Sequence, residues 1–422
     1  MTDTKYILAV DKQVPHAVSI PPDNKQMKSG DRWNQITKIT GDNKLRPIID
    51  INNTDTEYFL HPGGTTNKTR DTRQILDKKN YNFEEILGKI NGKLIYVKSG
   101  STGHTFRGES VIDNVPIQYA VKVVAYQKKE HYGKIYDIQR PENAEQKMIR
   151  LLSYFVVNNQ TPHIVLPIST FYTKIDPFLK YIDDGTIDKN NKNYKRFIEK
   201  YDKGDYYKNV SLLISEWANR GDLLDFLKKN YKNLTLMQWK TLFFQIISVL
   251  AVIQSKFPSF RHNDMKANNI LVHRIEMIRK NFKYTIEGET YVIPNIGYII
   301  KLWDFDFACI PGEVDNAKVS AEWTDNINVK PVMNRYYDMH YFFNTLIRKG
   351  FLSEIIEDVS VPVEIKEFIN RIVPPHYQTS KNVSDRGRIL INEEYTIPNE
   401  VLRIDPFFKI FRDNAKKYSN SL

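Results

Sequence analysis

The hydrophobic period changes once along this chain, and that change restricts the fold more than any other feature. Between Lys93 and Ile214 apolar residues gather in short β-branched and aromatic runs: Lys93-Leu-Ile-Tyr-Val97, Ile117-Gln-Tyr-Ala-Val-Lys-Val-Val-Ala125, Ile164-Val-Leu166 and Val210-Ser-Leu-Leu-Ile214. Each has strand length and strand composition. One helical stretch, marked by Met148, Leu151, Leu152 and Phe155, falls among them. From Leu223 the spacing becomes three and four, clearest in Trp239, Leu242, Phe243, Ile246, Ile247, Leu250 and Ile253. Strands first and helices later predict an α+β chain: a small sheet with one helix, then a mainly α portion.

There is enough apolar material to fold most of the 422 residues, because 41% are hydrophobic and 12% aromatic. Residues 1–85 read as an extension, polar and punctuated by Pro21-Pro22, Ser29-Gly30, Gly41-Asp42 and Pro62-Gly63-Gly64. Residues 86–216 then form the sheet-bearing unit and 217–422 the helical one. Each carries a polar stretch that reads as an insertion, 174–209 in the first and 274–298 in the second. In the latter, two alternating runs flank Glu287-Gly288-Glu289 and predict a hairpin. The single cysteine, Cys309, excludes an internal disulfide and a cysteine-rich zinc site, and fits a reducing compartment. Cys309 itself reads as a small buried apolar residue. No apolar run of membrane-span length and no signal peptide is expected. The charge of +11 admits acidic partners, but without an RNA-binding pattern or a Cys/His finger nucleic acid is not the expected main partner.

The chemistry concentrates after the long apolar helix. His262-Asn-Asp264-Met-Lys266-Ala-Asn-Asn269 is followed by the run Ile270-Leu-Val272, and a second strand run ends in Trp303-Asp304-Phe305-Asp306. Phosphoryl transfer from a nucleotide asks for a carboxylate to take the hydroxyl proton and for oxygen ligands that hold a divalent cation on the phosphates. Asp264 is the candidate for the first task, Asn269 and Asp304 for the second. A polar loop whose Asp and Asn cap a turn is the competing explanation. Five residue types in register, with an acidic strand end downstream, weigh against it.

This constellation resembles the catalytic loop and metal-binding element of the eukaryotic protein kinases. The resemblance implies a bilobal fold with a β-rich small lobe and a mainly α large lobe, and ATP with Mg2+ or Mn2+ as cofactors. It further implies that Lys266 contacts the γ-phosphate, as in the serine/threonine enzymes, and that protein Ser and Thr are the substrates. His262 is then structural, packing beneath Asp304. Upstream, Gly100 and Gly103 in Lys98-Ser-Gly-Ser-Thr-Gly-His resemble the glycine-rich loop, although Lys98 stands at its first glycine position. Ala120-Val-Lys122 resembles the strand lysine that binds the α- and β-phosphates. Its helix partner is expected at Glu145, with Glu142 as the fallback, since Ile149 and Leu152 share a face with Glu145. Leu212 to Leu227 resembles the hinge and the first large-lobe helix, which gives the backbone of Glu216 and Ala218 to adenine. Asp222 serves either the ribose hydroxyls or as the N-cap before Leu223. Asp338 is expected to brace the catalytic loop. His131 and His163 read as surface or turn residues.

Several departures narrow the resemblance. Asn263 replaces the Arg that pairs with a phosphorylated activation loop, which argues for activity without that modification. Asp306 replaces a glycine and restricts any flip of Asp304. Ala321-Glu322 is the nearest remnant of the Ala-Pro-Glu motif. With the long insertion before Asp304 and the late Pro406-Phe-Phe-Lys-Ile-Phe411, the chain is similar to the virion-associated serine/threonine kinases of large cytoplasmic DNA viruses, the poxvirus and mimivirus group. That implies residence in virions and host cytoplasm and action on virion structural proteins. Two alternatives stand beside it. A small-molecule kinase of the choline or aminoglycoside type also uses His-x-Asp-x-x-x-x-Asn, and a pseudokinase scaffold would bind partners without transfer.

Overall fold

The computed structural model describes residues 5–10, 30–41, 45–62, 70–100, 103–277 and 280–419. The turn expected at Pro21-Pro22 lies outside them, as do Gly63, Gly64 and the Ser101-Thr102 tip of the glycine-rich run.

The first part of the chain runs through strand β1 (Lys5–Val10), helices α1 (Gly30–Thr40), α2 (Thr56–Leu60) and α3 (Thr72–Ile75), β2 (Lys79–Asn80) and α4 (Phe83–Lys89). Then come β3 (Gly92–Ser99), β4 (Gly103–Ile112), β5 (Val115–Gln127), α5 (Pro141–Val157), β6 (Pro167–Lys174), α6 (Asp176–Leu179), α7 (Lys192–Asp202) and β7 (Tyr206–Glu216). The second part contains α8 (Leu223–Asn230), α9 (Leu236–Lys256), β8 (Ile270–Arg274), β9 (Lys280–Ile286), β10 (Glu289–Pro294) and β11 (Tyr298–Leu302). It closes with α10 (Tyr337–Leu346), α11 (Val363–Ile372), α12 (Pro375–Gln378), α13 (Pro398–Ile404) and α14 (Lys409–Ser419).

A six-stranded sheet in the order β2-β6-β7-β5-β4-β3 dominates the first part, antiparallel except where β2 meets β6. Asp113 and Asn114, both at positive φ (52° and 60°), make the two-residue turn from β4 to β5, a conformation whose twist suits a hairpin. Pro141 opens α5, where a missing N–H costs nothing. Helix α9 begins with a full capping box, Thr235 and Gln238 each bonding the other's backbone. Such a cap contributes about 1 kcal/mol. By length and apolarity α9 matches a membrane span, contrary to the sequence expectation, but 78% of its most apolar window is buried inside the protein. It is a core helix, packed against α13, α11, β11, β9 and α5.

The insertion at 274–298 forms the expected hairpin, turning at Glu287 (φ 46°) and Gly288 (φ 86°). It is no surface ornament. Tyr284 and Tyr291 lie against Phe244 of α9 at centroid distances of 5.2 and 5.3 Å, and β1 completes a three-stranded sheet on the outer side of β9. Insertion 174–209 buries Tyr194 and Phe197. The early segment is equally engaged, with Ile36, Ile39, Leu45, Ile48 and Phe59 in one buried cluster with Val121 and Phe155.

Two expectations are corrected. Ile164-Val-Leu166 is not a strand of the main sheet, which resumes only at Pro167. Instead Ile164 makes an isolated parallel bridge with Leu302, and the Val165 N–H donates to the Leu302 carbonyl. Alternation cannot distinguish a strand from a buried crossing between sheets. His163 is not at the surface: it is fully buried, one ring nitrogen 2.9 Å from the Ile300 carbonyl and the other 2.8 Å from the Tyr284 hydroxyl. Burial pushes its pKa down to about 3. His131 is exposed, as expected.

Candidate active site

The site lies where β5, α5 and β7 meet the loops that follow α9 and β11. Lys122 points inward from β5, and its ammonium sits 2.6 Å from Glu145 Oε1 on α5 and 2.6 Å from Asp304 Oδ1. Burial works against this charge, but Asp304 and Glu145 outweigh it and raise the Lys122 pKa above its ordinary value. Burial also opposes ionisation of Asp304, yet Lys122 wins and draws that carboxyl down to about 2. For Glu145 burial outweighs the contact with Lys122 and raises the carboxyl to about 7. Glu142 is engaged elsewhere, 3.2 Å from Arg140.

The catalytic loop is fixed from below. Asp338, at the start of α10, accepts the backbone N–H of His262 at 2.6 Å and of Asn263 at 2.9 Å. His262 Nε2 lies 2.9 Å from the Trp303 carbonyl, and its ring packs against Phe305. Asp264 Oδ2 meets Lys266 Nζ at 2.9 Å and Asn269 Nδ2 at 2.8 Å. The Asn269 amide nitrogen is spent on Asp264, and neither Asn269 Oδ1 nor Asp304 Oδ2 has a hydrogen-bond partner among the described residues. Two oxygen donors with free lone pairs suit a hard divalent cation, whose other ligands would be phosphate and water.

At the other wall, β3 and β4 carry the glycine-rich run. The Gly100 N–H donates to the Gly103 carbonyl at 2.8 Å. A Cβ on Gly103 would stand 2.8 Å from both the Val123 carbonyl and Val124 Cγ2, so the close approach of β5 itself demands glycine there. His104 is packed between Tyr194 and Phe197 of the 174–209 insertion, centroids 4.5 and 4.6 Å away, and accepts or donates at 2.7 Å with Ser99 Oγ. The insertion therefore backs the glycine-rich hairpin. Asp222 caps α8, taking the Asp225 N–H at 3.0 Å, while its other oxygen pairs with Lys98 at 3.1 Å. Service to a ribose would have to displace Lys98. Ala218 is 4% exposed, and neither its N–H nor its carbonyl is bonded among the described residues. Buried backbone groups seldom stay orphaned, and an adenine edge would satisfy them.

Sequence reasoning missed the residues that hold these parts from a distance. Glu216 is buried, with Oε2 2.8 Å from Arg32 Nε of α1 and 2.6 Å from Lys301 Nζ of β11. Arg32 also bonds the carbonyls of Pro162 at 3.0 Å and Ile164 at 2.6 Å. Lys318 forms a buried ion pair with Asp306, and Asn316 donates to the Asp306 carbonyl at 2.9 Å. Arg261 ties down the activation segment through the Asn328 and Val332 carbonyls, whereas Glu322 of the motif remnant is exposed. Arg388 reaches Asp264. None of these has a motif, because the partners are separated by 10 to 184 residues with no fixed spacing.

A buried lysine shared between a helix glutamate and a strand-end aspartate, facing a braced Asp-Lys-Asn loop, defines a protein kinase. Residues 119–399 match the family described as poxvirus serine/threonine protein kinase. A protein of Acanthamoeba polyphaga mimivirus, named as a serine/threonine-protein kinase, is 48% identical over 378 residues, covering 88% of this chain and 78% of the relative. Serine/threonine-protein kinase 2 of vaccinia virus is 26% identical over 229 residues, 53% of this chain and 48% of the relative. The chain belongs to the poxvirus serine/threonine protein kinase family.

The same geometry predicts independence from activation-loop phosphorylation. Lys122 already holds Glu145 and Asp304, and Lys318 and Arg261 secure the activation segment without a phosphate. Phosphatase-treated enzyme is expected to keep its initial rate when autophosphorylation is prevented from contributing. A large drop, restored by rephosphorylating residues 307–335, would contradict this.

Proposed function

We propose that the chain transfers the γ-phosphate of ATP to Ser or Thr hydroxyls of proteins, in a cleft between a sheet-bearing lobe (86–216) and a helical lobe (217–422). The observation that carries this is the joint contact of Lys122 with Glu145 and Asp304, 23 and 182 residues away in sequence. Ala218 and the Glu216 carbonyl receive adenine, and Gly100 and Gly103 let backbone N–H groups approach the phosphates. Lys122 holds the α- and β-phosphates. Asn269 Oδ1 and Asp304 Oδ2 would hold Mg2+, which when bound draws charge off the phosphates and aligns them. Asp264 accepts the proton as the hydroxyl oxygen bonds to the γ-phosphorus and the bond to the β-phosphate oxygen breaks, releasing ADP. Lys266 turns to the transferring phosphoryl group and offsets its charge. On the resemblance to virion-associated kinases, the proposed setting is the virion and host cytoplasm, with virion structural proteins as substrates.

The test is incubation of the full chain with γ-labelled ATP and Mg2+, offering acidic and basic proteins in one arm and amino alcohols in the other. Label recovered as phosphoserine or phosphothreonine is the expected result. Label on amino alcohols alone would favour a small-molecule kinase, and ATP binding without transfer a pseudokinase scaffold.

A further inference from the structure

Arg388 lies between α12 and α13, 124 residues after Asp264, and its Nη2 stands 2.6 Å from Asp264 Oδ1. The guanidinium is tightly bound in place. Its Nη1 donates to the Asn263 carbonyl and lies 3.5 Å from the Tyr337 hydroxyl, and its plane sits 4.1 Å from the Tyr341 ring centroid. Only 6% of the residue is exposed. The loop presenting it is equally fixed. Val383 and Ile389 form a bridge, and the Ser384 N–H donates to the Arg388 carbonyl at 2.8 Å. Asn344 of α10 donates to the Gly387 carbonyl at 2.9 Å. Gly387 has φ 86°, and a Cβ there would stand 2.6 Å from Arg348 Nε. Helix α10 thus anchors both the catalytic loop, through Asp338, and the loop that delivers Arg388.

The two cations on Asp264 differ in what they can do. Lys266 is 24% exposed on a flexible stem and must leave Oδ2 if it is to follow the γ-phosphate. Arg388 is buried and bonded on several sides, so it stays. With a fork that grips the Asp264 carboxylate and the Asn263 carbonyl together, it fixes the carboxylate plane against the loop backbone. We propose that Arg388 is a positioning residue for phosphoryl transfer, holding Asp264 in the orientation in which it meets the substrate hydroxyl. This rests on the reading of Asp264 as the base.

The experiment is a double-mutant cycle between Arg388 and Asp264, read in kcat with KM for ATP alongside. Arg388→Ala alone is expected to lose about 10²-fold in kcat, the scale of a misplaced reacting group, with KM for ATP within about threefold. In the Asp264→Asn background the same change is expected to cost less than about threefold, since residues acting as one unit do not add. Guanidinium ion in solution is expected to restore part of the Arg388→Ala rate and none of the Asp264→Asn rate. Arg388→Lys, which keeps the charge without the fork, guards against failure to fold. It is expected to melt near the parent temperature and lose about tenfold in kcat. Equal losses in both backgrounds would make Arg388 merely structural, and a variant faster than the parent would make it an inhibitor; either overturns the proposal. If Asp264→Asn turns over normally, the base reading falls first and the proposal with it. If only the Arg388 variants do, the base reading survives alone.

Discussion

Asp264→Asn is expected to bind ATP as the unaltered enzyme does and to lose about 10² to 10⁴ in kcat, the usual worth of a positioned acid or base. The amide has the size of the carboxylate and can keep some of its contacts with Lys266, Asn269 and Arg388, so the loop should hold its shape. What it cannot do is accept the hydroxyl proton. Of the groups proposed to hold the nucleotide and its metal, Lys122, Asp304 and the Ala218 backbone do not touch Asp264; Asn269 does, through its amide nitrogen, which the amide oxygen of the variant and the backbone carbonyl of residue 264 can still accept. The loss therefore belongs in kcat and not in KM for ATP, the pattern of an interaction made only in the transition state. Calorimetric titration with ATP and Mg2+ beside steady-state rates measures both quantities. Undiminished turnover would sink the assignment of Asp264, whereas loss of ATP binding would show that the substitution had disturbed the cleft as a whole.

Much of this site could be read from the sequence because its parts are local. The Asp264, Lys266 and Asn269 loop spans six residues, and Ala120-Val-Lys122 and Trp303-Asp304 are short signatures at strand ends. The switch in hydrophobic period separated strands from helices, and Glu287-Gly288 marked the hairpin. The partner of Lys122 was legible because Glu145, Ile149 and Leu152 share a helical face, and the geometry favours it over Glu142. What was hidden is the support. The Ile164 segment had a strand's composition but crosses between sheets, and composition is blind to which edge a segment pairs with. His163 gave no sign of burial because its partners, Ile300 and Tyr284, lie in or after the second insertion. The insertions and the early segment read as polar appendages because their few apolar residues are diluted, yet Tyr194, Phe197, Tyr284 and Ile36 are all buried.

The departures from the general kinase pattern have physical substitutes. An Arg at position 263 would need a phosphate opposite it; in its place Arg261, one residue before His262, bonds activation-segment carbonyls directly. The glycine absent at 306 is replaced by a carboxylate that Lys318 neutralises. A buried carboxylate left alone there would be costly, so the pair Asp306 and Lys318 belongs together. Each substitute is an internal ion pair or backbone contact present in the unmodified chain, which is the ground for expecting activity without an added phosphate.

Glu216→Gln is expected to produce the largest fall in stability. The carboxylate is 4% exposed and serves two cations, Arg32 from the early helix and Lys301 from the strand leading to Asp304, while accepting the Leu166 N–H at 2.8 Å. Burial opposes its ionisation, but Arg32 and Lys301 hold it down to about 2, and burial together with Arg32 lowers Lys301 to about 8, still charged at neutral pH. Removing the one anion leaves two buried cations facing each other. Breaking a buried pair this way costs about 3–5 kcal/mol, which for a chain of this size is a fall in Tm of several degrees. The sign with pH follows from the depressed carboxyl. Its contribution is present above the ordinary value of 4.5 and is lost as pH falls toward about 2, so the Tm gap between parent and variant should be widest near neutrality and close below pH 4.5. Arg32→Ala in the Glu216→Gln background removes one of the stranded charges and is expected to recover part of the loss, although alone it destabilises. Additive losses in that cycle would mean that Arg32 and Glu216 do not act on each other, and that the early helix docks on the hinge by packing alone.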